Sequence, residues 1–240
     1  MRLFFLHIPK SGGSSINRYF REYFNNGNHL DHCENYNKSE IENFLKNKSF
    51  FLSGHVPFRR IRPDLNLINL QKLVFLREPY DHLISHISWI RNLFLDKNRL
   101  SLHPLEVQVF AEFLHSLDFT KIKDLEYLVE NLNSYGISSL DNRQVRYFSD
   151  PPDGKYIKED HFQESRCLCL EFEFVGIFQN IDKDLKQLAK ILNLEAGCIP
   201  HINFKNKKIL KEITSIQKQV LHPLVQYDLE LYNEHLGKLN

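Results

Sequence analysis

The sequence predicts an α/β fold: a parallel β-sheet flanked by helices on both faces. Two observations carry this. Short apolar and aromatic runs of strand length alternate with longer segments of helical spacing. The first of these runs ends in a Gly-rich loop that opens a helix, the start of a strand–loop–helix unit. Ligands of such sheets bind beyond the carboxyl ends of the strands.

The elements follow in order. Residues 3–7 are short and apolar, with one Pro and two Gly close behind, and read as a buried strand ending in a loop. Ser14 and Ser15 precede Ile16, Tyr19, Phe20 and Phe24, a helical spacing with a Ser as N-cap. Residues 25–38 are Asn-rich and polar and read as a surface loop, and Ile41–Leu45 as a short helix. Phe50-Phe51-Leu52 is a second strand, broken at Gly54, and residues 59–71 read as a basic, Pro-containing loop. Leu73–Leu76 is a third strand, stopped by Pro79. Apolar residues at 83, 84, 87, 90 and 94 then predict a long amphipathic helix from Tyr80 to about Asp96. Two further helical patterns lie around 107–117 and 122–132, and Pro151-Pro152-Asp153-Gly154 marks a turn-rich insertion over 149–165. Phe174–Ile177 is a late strand, 182–193 a helix, 199–208 a polar basic loop, and 209–235 helical again.

Composition narrows the function classes. The chain has 240 residues, enough for one domain over 1–240 with a real core. Apolar residues at 42% and charged residues at 25% argue against disorder. No apolar run approaches the roughly 20 residues that span a bilayer. Thirty-one Lys and Arg against 30 Asp and Glu give a net charge of +1, so no nucleic-acid partner is expected and anion recognition must be local. Four Cys without a C-x2-C pair predict neither a disulfide scaffold nor a structural zinc site. They read as thiols in a reducing compartment. With no signal-peptide core, the expected location is cytoplasmic.

Two segments carry chemistry. His7-Ile8-Pro9-Lys10-Ser11-Gly12-Gly13-Ser14-Ser15 leaves a strand and opens a helix. Its glycines allow close backbone approach, the helix start offers N–H groups and a positive dipole end, and Lys10, Ser14 and Ser15 add donors. That is a phosphate cradle by composition, although a tight turn with an exposed Lys has the same letters. It is not a Walker A sequence, because Lys10 precedes the glycines. The second segment is Arg77-Glu78-Pro79-Tyr80-Asp81-His82-Leu83-Ile84-Ser85. An Arg at a strand end can grip a phosphate in bidentate fashion, with Ser85 two turns into the next helix.

Together these segments resemble the PAPS-dependent sulfotransferases, closest to the heparan sulfate 2-O-sulfotransferase-like branch. That family has an H-I-P-K-[ST]-G-G-[ST]-[ST] loop for the 5′-phosphosulfate and an R-[DE]-P-x-x-x-x-x-S segment for the 3′-phosphate. Asn142-Arg143-Gln144-Val145-Arg146 is similar to its N-x-Q-x-R stretch, Phe174–Ile177 with Asp182 and Leu185 to its late strand and helix, and Tyr227–Tyr232 to its C-terminal helix. His82 stands where the family often has Arg, and Gln179 where many members have a charged or hydroxyl residue.

The resemblance implies a P-loop-like sulfotransferase fold and transfer of a sulfuryl group from PAPS, leaving PAP, with no metal required. It implies that Pro9, Lys10, Ser11, Gly12, Gly13, Ser14, Ser15, Arg77 and Ser85 hold the donor. Asn203 and Lys205, with Lys207 and Lys208, would close over it, or form a plain surface run. Lys10 would stabilise the bridging oxygen of the leaving group. His55, in Ser53-Gly54-His55, matches a G-H element whose His is proposed as base; it could equally fix its loop by backbone hydrogen bonds. Arg59 and Arg60, beside Arg62, and Arg143 are candidates for holding an acidic acceptor, with a solvated basic loop as the plain alternative for the first group. The expected acceptor is a hydroxyl, most naturally on a glycan or glycoconjugate. A P-loop kinase and a non-catalytic binder of nucleotides or sulfated glycans are the rivals. The kinase lacks its Lys after the glycines and an acidic strand end for Mg²⁺.

Overall fold

The computed structural model describes residues 1–24, 27–65, 69–194, 209–210 and 212–236. The first half of the chain runs β1 (Arg2–Leu6), α1 (Gly13–Arg21), β2 (His29–Leu30), α2 (Lys38–Phe44), β3 (Phe50–Gly54), α3 (Phe58–Leu65), β4 (Gln71–Leu76) and α4 (Pro79–Leu95). A helical stretch follows: α5 (Lys97–Leu100), α6 (Leu105–Ser116), α7 (Ile122–Glu130), α8 (Ser134–Leu140), α9 (Arg143–Ser149) and α10 (Glu159–Cys169). The chain then returns through β5 (Phe174–Ile177) to α11 (Ile181–Ile191), α12 (Ser215–Leu221) and α13 (Gln226–Leu236).

Among the described residues, five strands form one parallel sheet in the order β2-β3-β1-β4-β5. β1 is central. Leu6 lies opposite Gly54 on β3 and Val74 on β4, so the ends of β1 and β3 are level while β4 continues to Leu76. The chain leaves β1 toward one edge and later crosses β1 to reach β4. This reversal is where open α/β sheets bind ligands.

Both faces of β1 are buried. Leu3 and Phe5 pack with Ile16, Tyr19 and Phe20 of α1 and Leu185 and Leu188 of α11. Phe4 and Leu6 pack on the other face with Phe58, Ile61 and Leu65 of α3, Phe148 of α9 and Phe162 of α10. The continuous apolar run of β1 is thus that of a covered parallel strand. A third apolar cluster joins α4 to α6, α7 and α12.

Two sequence expectations are corrected. Residues 58–65 are not loop but α3: Phe58, Ile61 and Leu65 share one buried face, and that burial outweighs the cost of Pro63 inside the helix. The insertion over 149–165 does turn at Pro151–Gly154, but from Glu159 it is α10, which buries Phe162, Ser165, Leu168 and Cys169 at helical spacing. The polar loop over 25–38 also contributes the edge strand β2 and a 3-10 turn at Cys33–Asn35. No helix among the described residues is long and apolar enough to cross a membrane. Cys33, Cys167 and Cys169 are thiols rather than disulfides.

The N-x-Q-x-R stretch forms the junction of α8, α9 and α13. Asn142 Oδ1 accepts the N–H groups of Tyr227 (2.8 Å) and Asp228 (3.3 Å) at the start of α13. Asp228 accepts those of Gln144 (3.1 Å) and Val145 (2.8 Å) at the start of α9. Arg146 pairs with Asp141 at 2.8 Å, both nearly fully buried, and Asp141 also accepts the Ile157 N–H at 2.7 Å. Removing one partner of such a pair strands the other charge. Asp141→Ala is therefore expected to lower unfolding free energy by about 3–5 kcal/mol, read from urea denaturation. A loss under about 1 kcal/mol would show that the pair does not hold the junction.

Candidate active site

The loop after β1 is shaped by two residues in left-handed conformations. Gly12 has φ +84°, where glycine is at ease, and Lys10 has φ +70°, where a side chain is strained. The His7 N–H donates to the Gly54 carbonyl (3.1 Å), tying the loop to the end of β3. Helix α1 begins at Gly13 with Gly12 as N-cap, a residue with no side chain to cap it. The expected Ser cap is not used; Ser14 and Ser15 lie inside the first turn. A helix start without a side-chain cap, on a glycine loop, is the backbone arrangement that receives anions.

The glycines are required by packing as well. A Cβ on Gly12 would lie 2.7 Å from the Phe178 ring, and one on Gly13 would lie 1.8 Å from His7 Nε2. The His7 ring therefore rests directly on the first residue of α1. Ser11 is buried, and among the described residues its Oγ has no hydrogen-bond partner. Pro9 offers its carbonyl to His82 Nε2 at 2.7 Å. Burial lowers the pKa of His82 to about 3, so its Nε2 carries the proton and donates as a neutral ring.

Arg77 brings the second segment to the first. Its Nη1 donates to the Lys10 carbonyl at 2.5 Å and to Ser85 Oγ at 3.2 Å. Its Nε and Nη2 both reach Asp81 Oδ2, at 2.8 and 2.7 Å. Its guanidinium stacks 4.6 Å from the Phe178 ring centre. Its backbone is clamped by Gln144, which accepts the Arg77 N–H (2.8 Å) and donates to the Arg77 carbonyl (2.9 Å). Gln179 accepts the neighbouring Glu78 N–H at 3.2 Å. Burial, and then the Arg77 charge, lower the pKa of the Lys10 ammonium. Arg77 thus joins the Lys10 backbone and the Ser85 hydroxyl at the end of the sheet.

His55 follows β3 on the other side of the loop. Its Nδ1 donates to the His7 carbonyl at 2.7 Å, since a carbonyl can only accept; Nε2 is left with its lone pair. Its backbone N–H donates to Glu34 Oε2 at 2.8 Å. Burial lowers the His55 pKa, opposed by the His7 bond and the Glu34 charge. Burial pushes the Glu34 carboxyl up, but hydrogen bonds from its own backbone, the His55 N–H and His32 outweigh it, and the net direction is down. The His7 and His55 ring centres are 4.0 Å apart. Burial, then the charges on His55 and His32, hold His7 well below the ordinary imidazole value.

The remaining candidates are placed as follows. Arg143 donates to the Ser138 and Ser139 carbonyls (3.4 and 3.2 Å) and lies 5.5 Å from the Tyr147 ring centre. Its charge is felt at both His55 and His82. Arg59 pairs with Glu164 (3.2 Å), Arg60 with Asp150 (2.9 Å) and Arg62 with Glu171 (2.7 Å), so these three cations brace α3 against the chain around α9 and α10. Arg60 also borders a groove of about 220 Å³ lined by Glu34, Tyr36, Ile41 and Val56. Asn203, Lys205, Lys207 and Lys208 lie outside the described residues, as does His201. Sequence reasoning missed Gln144 as a clamp, Asp81 as the counter-charge, Phe178 as the stacking ring, and the pair His32 and Glu34. Only the letter match of Gln144 signalled anything, since the other contacts depend on the fold.

A family model described as the sulfotransferase family matches residues 1–233. The chain belongs to the sulfotransferase family. Its class of chemistry is sulfuryl transfer, and the five-stranded parallel sheet with flanking helices is the fold that goes with it. Comparison with curated proteins gives no match. In this sulfotransferase the two departures noted in the sequence both touch the site's framework: His82 holds Pro9 and Gln179 holds Glu78.

The His7–Gly13 contact makes a test of the loop. Gly13→Ala is expected to cost about 1–3 kcal/mol through overpacking. The double variant with His7→Ala should recover part of that loss, because the ring that met the Cβ is gone. Additive losses in thermal denaturation would show that the two residues do not share one space.

Proposed function

We propose that the chain transfers a sulfuryl group from PAPS to a hydroxyl on a carbohydrate. The observation that carries the donor is the bond from Arg77 Nη1 to the Lys10 carbonyl, which fixes a strand-end cation beside the glycine loop. Two candidate anion-binding elements joined in this way suit a donor with two phosphate-bearing ends. The α1 start on a glycine N-cap, and the buried Ser11 Oγ with no partner among the described residues, fit the 5′ end. Arg77 and Ser85 fit the 3′-phosphate, with Asp81 giving up the guanidinium as phosphate arrives. The carbohydrate acceptor rests on the likeness of Gly54-His55 to the heparan sulfate 2-O-sulfotransferase-like branch. The groove lined by Glu34, Val56 and Arg60, next to His55 in the chain, is where this reading puts the acceptor.

The donor supplies an activated sulfuryl group with a phosphate leaving group, and sulfuryl transfer needs the same parts as phosphoryl transfer: in-line placement and stabilised charge. Lys10 donates to the oxygen that gains charge as the bond breaks. His55, neutral and fixed by the His7 carbonyl in the tautomer with Nε2 free, removes the acceptor's proton there. The Glu34 carboxylate lies close enough to favour the imidazolium that results.

On this reading the protein binds PAP more tightly than AMP, and Arg77→Ala removes most of the difference. One charge-assisted contact contributes about 1.5–3 kcal/mol, or roughly tenfold to a hundredfold in affinity. Equal calorimetric affinities of the wild type for PAP and AMP would sink the 3′-phosphate assignment, and absence of label transfer from PAPS to any glycan would sink the activity.

His55→Ala should cut kcat by about a hundredfold to ten-thousandfold with PAP affinity nearly unchanged. Because burial lowers the His55 pKa, the wild-type rate should rise with pH through a midpoint below the usual value of about 6.5. A folded His55→Ala protein that keeps more than half its turnover would place the base elsewhere.

A further inference from the structure

We propose that His32, Glu34 and His55 form a binding site for a divalent transition-metal ion, best matched by Zn²⁺, and that the ion silences the enzyme by taking the Nε2 lone pair of His55. One ligand atom from each residue lies within 4.8 Å of the others. Tetrahedral Zn²⁺ with nitrogen and oxygen ligands at 2.0–2.1 Å spaces them about 3.3 Å apart. The three must therefore close by roughly 1.5 Å at most. His32 and Glu34 have the room, with side chains 47% and 29% exposed.

The donor set is two imidazoles and one carboxylate, borderline ligands that suit Zn²⁺ and leave the fourth position open. The outer shell that metal ligands need is already built. His55 Nδ1–H donates to the His7 carbonyl at 2.7 Å, which is the backbone bond that orients a ligating histidine. The His55 N–H holds Glu34 Oε2 at 2.8 Å and so steadies the carboxylate. The backbone is anchored too. His32 opens the 3-10 turn Cys33–Asn35, and Cys33 is packed so tightly on the end of β3 that a Cβ on Gly54 would lie 2.3 Å from its Sγ. Two ligands on one anchored turn thus face a third on the strand end. Donor binding by Arg77 and Ser85, past the end of β4 on one side of β1, does not account for a His32–Glu34–His55 cluster at the end of β3 on the other.

Metal binding stands apart from the proposed transfer reaction, whereas the silencing rests on His55 being its base. The test separates the two. Chelator-treated protein is titrated with Zn²⁺ alone by calorimetry and with Co²⁺ alone by visible absorption. One tight equivalent with a tetrahedral cobalt spectrum is expected. Glu34→Gln and His32→Asn should each weaken it by at least about tenfold; Asn is chosen because it tolerates the left-handed backbone at His32, φ +56°. The same Zn²⁺ should inhibit wild-type transfer from labelled PAPS and EDTA should restore it, while His32→Asn loses the sensitivity. Should His32→Asn fail to fold, the Glu34→Gln titration decides the binding alone. Equal Zn²⁺ affinity in wild type and a folded variant, or no binding to wild type, would overturn the site. Zn²⁺-dependent activation would overturn the silencing. Absence of transfer under every condition would count against the proposed function and leave the binding result standing.

Discussion

The Arg77 guanidinium is the interaction on which the site depends. One nitrogen holds the Lys10 carbonyl, and Lys10 carries the strained backbone of the loop. A non-glycine residue in the left-handed region costs about 1–3 kcal/mol and persists only where its surroundings fix it. Here a charge-assisted hydrogen bond fixes it from 67 residues away in sequence. Gln144 holds the Arg77 backbone on both sides, and Phe178 covers the guanidinium. The loop's shape is therefore not a local property of His7–Gly13 but a product of β4, α9 and the chain after β5.

The electrostatics of the site are those of cations crowded together in a partly buried place. Lys10, Arg77 and Arg143 stand near one another, and burial and like charges lower the pKa values of Lys10, His55 and His82. Cations held this close oppose one another until an anion enters. Asp81 offsets part of the conflict by pairing with Arg77.

Much of this was legible in the sequence, and the boundary is physical. Strand β1 and its glycine loop are local signals: an apolar run, then residues that only a tight turn needs. Arg77 and Ser85 were legible through the likeness of their segment to the family's, since an Arg–Ser spacing alone occurs by chance. Helix α3 was hidden because Pro63 and the basic residues around it read as loop, while its helical face shows only at Phe58, Ile61 and Leu65. Helix α10 was hidden by the turn residues before it. His32 and Glu34 sit in a polar stretch whose letters say surface, and only the packing of Cys33 against Gly54 brings them to His55. The engagement of Arg59, Arg60 and Arg62 with carboxylates of distant segments is likewise invisible in a sequence that shows only three close cations.

Helix α4 has two allegiances. Asp81, His82 and Ser85 face the loop after β1 and Arg77, whereas Leu83, Ile87, Ile90 and Leu93 belong to the apolar cluster shared with α6, α7 and α12. A helix is stiff along its axis, and no hinge separates these two groups within it. The helical layer and the Arg77 cluster therefore share a rod. Displacement of α6 or α12 by a neighbouring molecule would tilt Ser85 relative to Arg77, and a ligand gripped at Arg77 would quiet motions in a layer that it never touches.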